Sequence, residues 1–408
     1  MGGRIEEQRI LRIPLEKNKD CRERIEAISA ELDSLSPQCP PRCITILGEG
    51  DGFLWGESYN YEMKRLLSRL DELQVPVIVG INGKCNGIGM ALLQYADLAV
   101  AANYAEIEGY ESVQRALDGD AVNWIVPEEK LAEAVEDYAL RLLQMPEELI
   151  AFGHKLYFAL EKLPDRLSRS EYGASVIGEI MAIQAELNQK HPGDAMPLFS
   201  EQEFENIHYK NEHDKTHAIL FEIRDRVEYI QLNMPHTHNM LDWRASMELA
   251  GAYALANAQP DLKAIVVTGI GKWFHLGGIR YCQEDEYERA RFADQLKLRN
   301  QIMREICVPL ISVVNGECSG GGMSLVLKSD RVIAARDAMF GYPEIKHNGF
   351  ACNSMVNTMD VIPKKAALNM FYFGELFSAQ KAKQYGIVDE VVSKEELEQT
   401  VQGMLNRL

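Results

Sequence analysis

Two stretches of this chain repeat each other in register, and that duplication limits the folds open to it. Val79-Gly80-Ile81-Asn82-Gly83-Lys84-Cys85-Asn86-Gly87-Ile88-Gly89-Met90 leads to Asp97, and Val313-Val314-Asn315-Gly316-Glu317-Cys318-Ser319-Gly320-Gly321-Gly322-Met323 leads to Asp330. Asn82 to Asn315 is 233 positions, and so are Asp97 to Asp330, Ala105 to Ala338 and Glu111 to Glu344. Upstream the offset falls: Gly56 pairs with Gly277 at 221, so the second copy holds 12 more residues between its two glycine turns. A one-residue slide pairs Gly109-Tyr110 with Gly341-Tyr342, which leaves the partner of Glu111 open. A repeat of this length is a duplicated domain, not a solenoid.

Within each copy, strand-like runs alternate with helical periodicity. Strands are predicted at Arg9–Pro14, Cys43–Gly48 and Val77–Ile81, with helices over Cys21–Leu35, Tyr61–Leu73, Glu128–Leu143 and, with breaks, Glu147–Asn188. Lys190-His191-Pro192-Gly193-Asp194 has linker composition. The order then restarts, with strands in His217–Ile223, Val227–Leu232, Ala264–Gly269 and Leu310–Asn315 and helices over Leu241–Asn257 and Phe292–Ile306. This alternation predicts an α/β fold with right-handed crossovers.

The net charge of -18 opposes nucleic acid or an anionic membrane as the main partner. No apolar run reaches the roughly 20 residues of a membrane span. The first residues show no signal-peptide apolar region, so cytoplasm is the expected compartment. The eight cysteines are scattered without a Cys-x-x-Cys pair, a pattern of free thiols rather than a disulfide frame or zinc site. His208, His213 and His217 form a short histidine tract that reads as solvated. No metal site is expected.

The second copy carries a longer series: Trp273-Phe274-His275-Leu276-Gly277-Gly278, then Asn315-Gly316 to Gly322, then Phe340-Gly341-Tyr342-Pro343-Glu344, and later Phe377-Ser378-Ala379 and Tyr385-Gly386-Ile387-Val388-Asp389. In this order, over about 217–408, the chain resembles the crotonase, or enoyl-CoA hydratase/isomerase, superfamily. The resemblance implies two tandem ββα-spiral domains, a degenerate one over 1–190 with a structural or docking role and a complete one over 191–408. It implies an acyl thioester substrate on CoA or an acyl carrier protein, no cofactor beyond that CoA or phosphopantetheine carrier, and a homotrimer. Carried over residue by residue, the N–H groups of Gly278 and Gly321 would form an oxyanion hole, and Glu344 would be the acid/base. Glycines fit such turns because the thioester must approach the backbone closely, and losing one such donor typically costs about 3–4 kcal/mol of barrier.

Departures from the family pattern bear on the reaction. Hydratases place a second Glu where this chain has Ser324, the usual Asp after the first oxyanion residue is Ile279, and the glycine-rich stretch after Glu344 becomes Asn348–Met355. One Glu resembles the double-bond isomerases of the family, with decarboxylation, hydration or dehydration of a polyketide-type acyl group, and thioester binding without turnover, as alternatives. His347, three residues past Glu344, is a second catalytic candidate. His275 and Ser324 are candidate substrate contacts, and Lys272 and Arg280 candidates for the phosphates of the carrier. In the first copy Ile88 stands where Gly321 stands, and the acyl-pocket helices look deleted.

Overall fold

A computed structural model describes residues 9–35, 40–50, 52–56, 61–191, 217–278 and 286–408. They form two compact units, Met1–Lys162 with Ile362–Phe373, and Leu163–Val361 with Gly374–Leu408.

The second unit is built on a six-stranded sheet, in the order Glu390–Val392, Arg331–Ala335, Leu310–Val314, Ala264–Gly269, Val227–Leu232, Ile219–Arg224. All its pairings are parallel except the last, where Ile219–Arg224 and Val227–Leu232 form an antiparallel hairpin. Leu310–Val314 is buried throughout and Ala264–Gly269 nearly so, as strands covered on both faces must be, which is why they read as unbroken apolar runs. A second layer of four short strands follows the order Trp273–His275, Glu317–Ser319, Met339–Gly341, Leu376–Ser378. Helix Trp243–Asn257 starts at Asp242, whose carboxylate accepts the Ala245 N–H at 2.7 Å, a side-chain N-cap.

The first unit repeats this plan. Its parallel sheet runs Ile10–Leu15, Cys43–Gly48, Val77–Ile81, Leu98–Ala102, Trp124–Val126, and its short layer runs Gly52–Leu54, Lys84–Cys85, Glu106–Ile107. Among the described residues, Ile219–Arg224 and Leu376–Ser378, the two strands that each pair antiparallel with a neighbour, lack a counterpart in the first unit. The α/β expectation is met, and so are the strands at Cys43–Gly48, Val77–Ile81, Val227–Leu232 and Ala264–Gly269. The 12 extra residues of the second copy fall where helix Glu286–Arg304 has 19 residues against 13 in Tyr61–Leu73.

The repeated aspartates have a common task. Asp97 Oδ2 accepts the Val77 N–H at 2.8 Å and Asp330 Oδ2 the Leu310 N–H at 2.8 Å. Each aspartate's own N–H returns to the carbonyl of the same residue, Val77 or Leu310. The next strand repeats the device, with Asn123 holding the Ala99 N–H at 2.8 Å and Asp389 the Val332 N–H at 2.7 Å. These pairs close the open ends of neighbouring parallel strands and fix their register.

The units do not divide at the Lys190–Asp194 segment, as composition suggested; 192–194 lie outside the described residues, and the division falls at Lys162/Leu163. Helices Arg166–Ser175 and Ile177–Lys190 belong to the second unit because their partners are there. Arg166 Nη2 donates to Asn357 Oδ1 at 3.1 Å, Arg169 pairs with Asp360, and Asn348 Nδ2 donates to Asn188 Oδ1 at 3.2 Å. Conversely, helix Lys364–Phe373 belongs to the first unit. The buried Lys365 ammonium donates to the carbonyls of Leu93 and Ala96, at 2.9 Å for Ala96, satisfying groups left open at the end of helix Ile88–Tyr95. Tyr372 donates to Asp97 Oδ1 at 2.8 Å, and His154 Nδ1 lies 2.9 Å from the same oxygen.

Asp97 is fully buried. Burial alone would raise its pKa, but His154, Lys364 and the Val77 N–H outweigh it and hold the carboxyl below its ordinary range. Replacing it by Ala strands a buried histidine, a tyrosine and a strand N–H, and we expect Asp97→Ala to cost about 3–5 kcal/mol of unfolding free energy. Asp330 is exposed, so Asp330→Ala should cost about 1 kcal/mol. Chemical denaturation of the two variants, read for equal losses, checks this asymmetry.

Candidate active site

Three adjacent parallel strands bring the second unit's conspicuous residues to one end. Trp273–His275 pairs with Glu317–Ser319, which pairs with Met339–Gly341. Beyond their carboxyl ends lie, in turn, Gly277-Gly278, Gly320-Gly321 and the 3-10 turn Pro343–His347 carrying Glu344. The turns are close: a Cβ on Gly277 would sit 3.2 Å from the Gly321 nitrogen, and one on Gly320 would sit 2.3 Å from Glu344 Oε1. Gly277 and Gly320 adopt φ of +105° and +53°, values open to glycine but strained for other residues.

The two N–H groups have geometric reasons to face inward. Leu241 bridges Gly278 but donates to the Gly277 carbonyl at 2.9 Å, so by strand alternation the Gly278 N–H points away from Leu241. Gly321 is the first residue of helix Gly321–Val326, and an N–H at that position has no acceptor within its helix. The helix has six residues, so its contribution is this N–H rather than a long dipole.

Gly278, Gly321 and Glu344 share a cavity of about 180 Å³ with His275, Ser324 and Gln184. Glu344 is half-buried, and its Oε2 is shielded with no hydrogen-bond partner. Burial pushes its pKa up to about 7, opposed only by its own backbone N–H. A carboxyl so placed exchanges protons near neutrality.

His275 is buried and its Nδ1 lies 2.7 Å from the Asn239 carbonyl. That contact requires Nδ1–H, so Nε2 is the unprotonated nitrogen. It faces the second turn, 3.0 Å from where a Cβ on Gly321 would lie. Burial, with the Arg299 charge, lowers the His275 pKa to about 3, so it stands as a neutral wall. Ser324 Oγ lies 2.7 Å from Ser354 Oγ, which donates to the Gly320 carbonyl at 3.2 Å. Ser324 is therefore the donor to Ser354, and the chain of hydroxyls braces the second turn.

Other candidates lie elsewhere. His347 ends the turn that carries Glu344, half-buried, and is not among the cavity-lining residues; the chain leaves that turn through Asn348 at φ +54°. Lys272 is exposed and also does not line the cavity; it contributes backbone, its carbonyl packing against Gly316. Arg280 and Ile279 lie outside the described residues, as do His208 and His213. Cys352 lines the cavity and is buried. Among the described residues, no cluster of His, Cys, Asp or Glu could hold a metal, and no helix is long and apolar enough to cross a membrane.

Sequence reasoning missed one whole wall. Ile177, Ile180, Met181 and Gln184 of helix Ile177–Lys190 line the cavity. Their i, i+3, i+4, i+7 spacing signals a buried stripe but carries no address for what it covers. Arg299 and Lys328, also in the lining, were equally unmarked.

The corresponding end of the first unit is altered. A Cβ on Gly56 would lie 3.8 Å from Ile88 Cδ1, so the Ile88 side chain occupies space that Gly321 leaves open. Glu108 Oε2 takes the Gly87 N–H at 2.6 Å, and Asn86 Oδ1 takes the Gly56 N–H at 3.1 Å. The groove beside them is lined by Glu106, Glu108 and Glu111, the wrong sign for an anionic ligand.

A carboxyl with a folded pKa near 7, above its ordinary 4.5, binds more protons in the folded chain between those values. Stability contributed by Glu344 is thus complete below about pH 4.5 and lost as pH rises through 7, by up to about 3 kcal/mol. Denaturant titrations at pH 5 and 8 should show this loss in the native chain and a smaller one in Glu344→Gln, the remainder including Glu228, whose carboxyl burial also pushes up to about 7.

A family model described as enoyl-CoA hydratase/isomerase matches residues 222–408. (E)-Benzylidenesuccinyl-CoA hydratase of Thauera aromatica is 30% identical over 177 residues, covering 43% of this chain and 69% of that protein. Probable enoyl-CoA hydratase echA8 of Mycobacterium bovis is 31% identical over 182 residues, covering 44% and 70%. Against several further hydratases and a hydrolase the match spans 62% to 66% of the relative's length, under two thirds. The crystal structure of an enoyl-CoA hydratase from Mycobacterium smegmatis aligns with 47% of this chain and 76% of its own, at 25% identity and a TM-score of 0.45. With its glycine turns and Glu344 inside the matched region, the chain belongs to the enoyl-CoA hydratase/isomerase family, the crotonase superfamily.

Proposed function

We propose that the second unit is an acyl-CoA enzyme that moves a carbon–carbon double bond, using one carboxylate as both base and acid. In the proposed step Glu344 removes a proton from a carbon next to the double bond. The electron pair delocalises onto the thioester oxygen, where the Gly278 and Gly321 N–H groups stabilise it. Glu344 then returns the proton two carbons away, so the product is an isomer and no water is consumed. The observation that carries this reading is that, among the described residues, Glu344 is the one carboxylate lining the cavity. Its unpartnered oxygen and raised pKa suit a group that must accept and release a proton in turn. The hydroxyl of Ser324 cannot serve as the second acid/base that addition of water ordinarily uses.

CoA is the carrier named by the relatives; a carrier-protein thioester is the alternative. A cavity of about 150 Å³ holds benzene, so about 180 Å³ suits a short acyl group. Hydration is the second reading, favoured by the printed names of several relatives. The first unit takes a structural or docking role, consistent with Ile88 and the acidic groove, and three chains assemble as a trimer.

Short 2- and 3-enoyl-CoA thioesters incubated with the chain should give positional isomers by NMR; 3-hydroxyacyl products would replace this reading with hydration, and no product from any would remove both. Glu344→Gln should lower kcat by about a hundredfold or more with KM little changed. Because the base must be ionised, kcat/KM should rise with pH through about 7. Native mass spectrometry should find three chains per particle, and a stable monomer would remove the trimer.

A further inference from the structure

The cavity that holds Glu344 also holds two cations that the proposed reaction does not use. Arg299 comes from helix Glu286–Arg304, and Lys328 follows Ser324 by four residues, just past helix Gly321–Val326. Both line the main cavity, and both also line a small recess of about 10 Å³ that shares His275, Gly321 and Ser324 with it.

Their partners are neutral. Lys328 Nζ donates to Asn300 Oδ1 at 2.8 Å, and Arg299 Nη1 donates to Ser246 Oγ at 3.4 Å. Among the described residues neither is paired with a carboxylate. The charges that act on Lys328 among the described residues are also positive: Arg299, Arg304 and Arg166. Tyr253 lines the same recess, fully buried, and its hydroxyl has no hydrogen-bond partner. The recess therefore gathers two cations with spare donors and an orphan O–H, in a chain of net charge -18. Desolvated charges without a counter-ion destabilise a fold, and a buried O–H left unbonded adds to that cost.

We propose that the acyl group bound here carries a carboxylate, seated between Arg299 and Lys328 in the main cavity. The proposal rests on the acyl-CoA reading and narrows it to thioesters of short dicarboxylic acids. A carboxylate has acceptor sites for both groups: two oxygens with about four lone-pair directions, matching the guanidinium fork and the ammonium. Seven residues separate Gly321 from Lys328, six of them from the helix that ends at Val326, so the two lie about 10 Å apart along its axis. That leaves a few carbons between the two ends of the acyl group.

The test compares two unreactive thioesters that differ only by a terminal carboxylate, butyryl-CoA and glutaryl-CoA, by calorimetry on the full chain. The CoA portion is common to both and cancels. Glutaryl-CoA should bind about ten- to a hundredfold more tightly, the range for charge-assisted hydrogen bonds. Lys328→Met and Arg299→Gln should each bring that ratio toward one, and Lys328→Met should raise the thermal midpoint by removing an unpaired buried charge. Equal affinities in the native chain, or a ratio unmoved by both substitutions, would overturn the carboxylate site and leave the acyl-CoA reading standing. If neither thioester binds, both readings fall.

Discussion

The architecture of the active end depends on one close contact, between the backbone of Gly322 and the carbonyl of His275. A Cβ on Gly322 would lie 2.1 Å from that oxygen and 3.2 Å from Cys318 Sγ. No side chain fits there, so the helix that begins at Gly321 settles directly onto the end of the neighbouring strand. That seating sets the spacing between the two turns and leaves the Gly321 N–H beside Gly277. Glu344 arrives next because its strand is the third in the same parallel ladder. Two turns and one carboxylate are thus placed by three short strands, the Gly322 contact and the hydroxyl chain from Ser324 through Ser354 to Gly320.

The acid and the cations in this cavity are matched against different costs. Burial raises the Glu344 pKa and lowers that of Lys328, each to about 7. Neither shift includes an opposite charge nearby, so each group resists ionisation for lack of solvent rather than because of the other. A carboxyl next to a paired cation would be held ionised and would make a poor proton donor. Keeping the cations away from Glu344 preserves its capacity to take up and release a proton. The same separation leaves Arg299 and Lys328 available to an anion from outside the chain.

Much of this was legible because local chemistry signals it. The repeat showed itself through glycines that must be glycine and through Asp97 and Asp330, which hold strand ends by accepting the Val77 and Leu310 N–H groups. Glu344 was marked by its place after Pro343 and by the order of motifs before it. The wall formed by Ile177, Ile180, Met181 and Gln184 was not legible, because an apolar stripe states that it is covered and not by what. The place of Lys364–Phe373 in the first unit carries no sequence signal either: it rests on the contacts of Lys365 with the Leu93 and Ala96 carbonyls. Arg299 sits in a long polar helix, where one arginine among several carries no distinguishing pattern.

The divergence of the two copies follows from how much room each repeated glycine has. At Gly322 and at its counterpart Gly89, a side chain would meet backbone carbonyl at 2.1 and 2.2 Å. Backbone cannot yield, and both copies keep glycine. One position earlier the contact is softer. A Cβ on Gly321 would meet His275 Nε2 at 3.0 Å and Gly277 Cα at 3.1 Å, tight enough to demand small shifts but not prohibitive. In the first unit Leu54 takes the place of His275, and at that softer position Ile88 is accommodated with its side chain over Gly56. Substitution there fills the space a ligand would need, while the sheet, the turns and the aspartate pairs persist. The fold in both copies shares Gly89 and Gly322 and the pairs made by Asp97 and Asp330; the two copies part at the second turn, where one has Gly321 and the other Ile88.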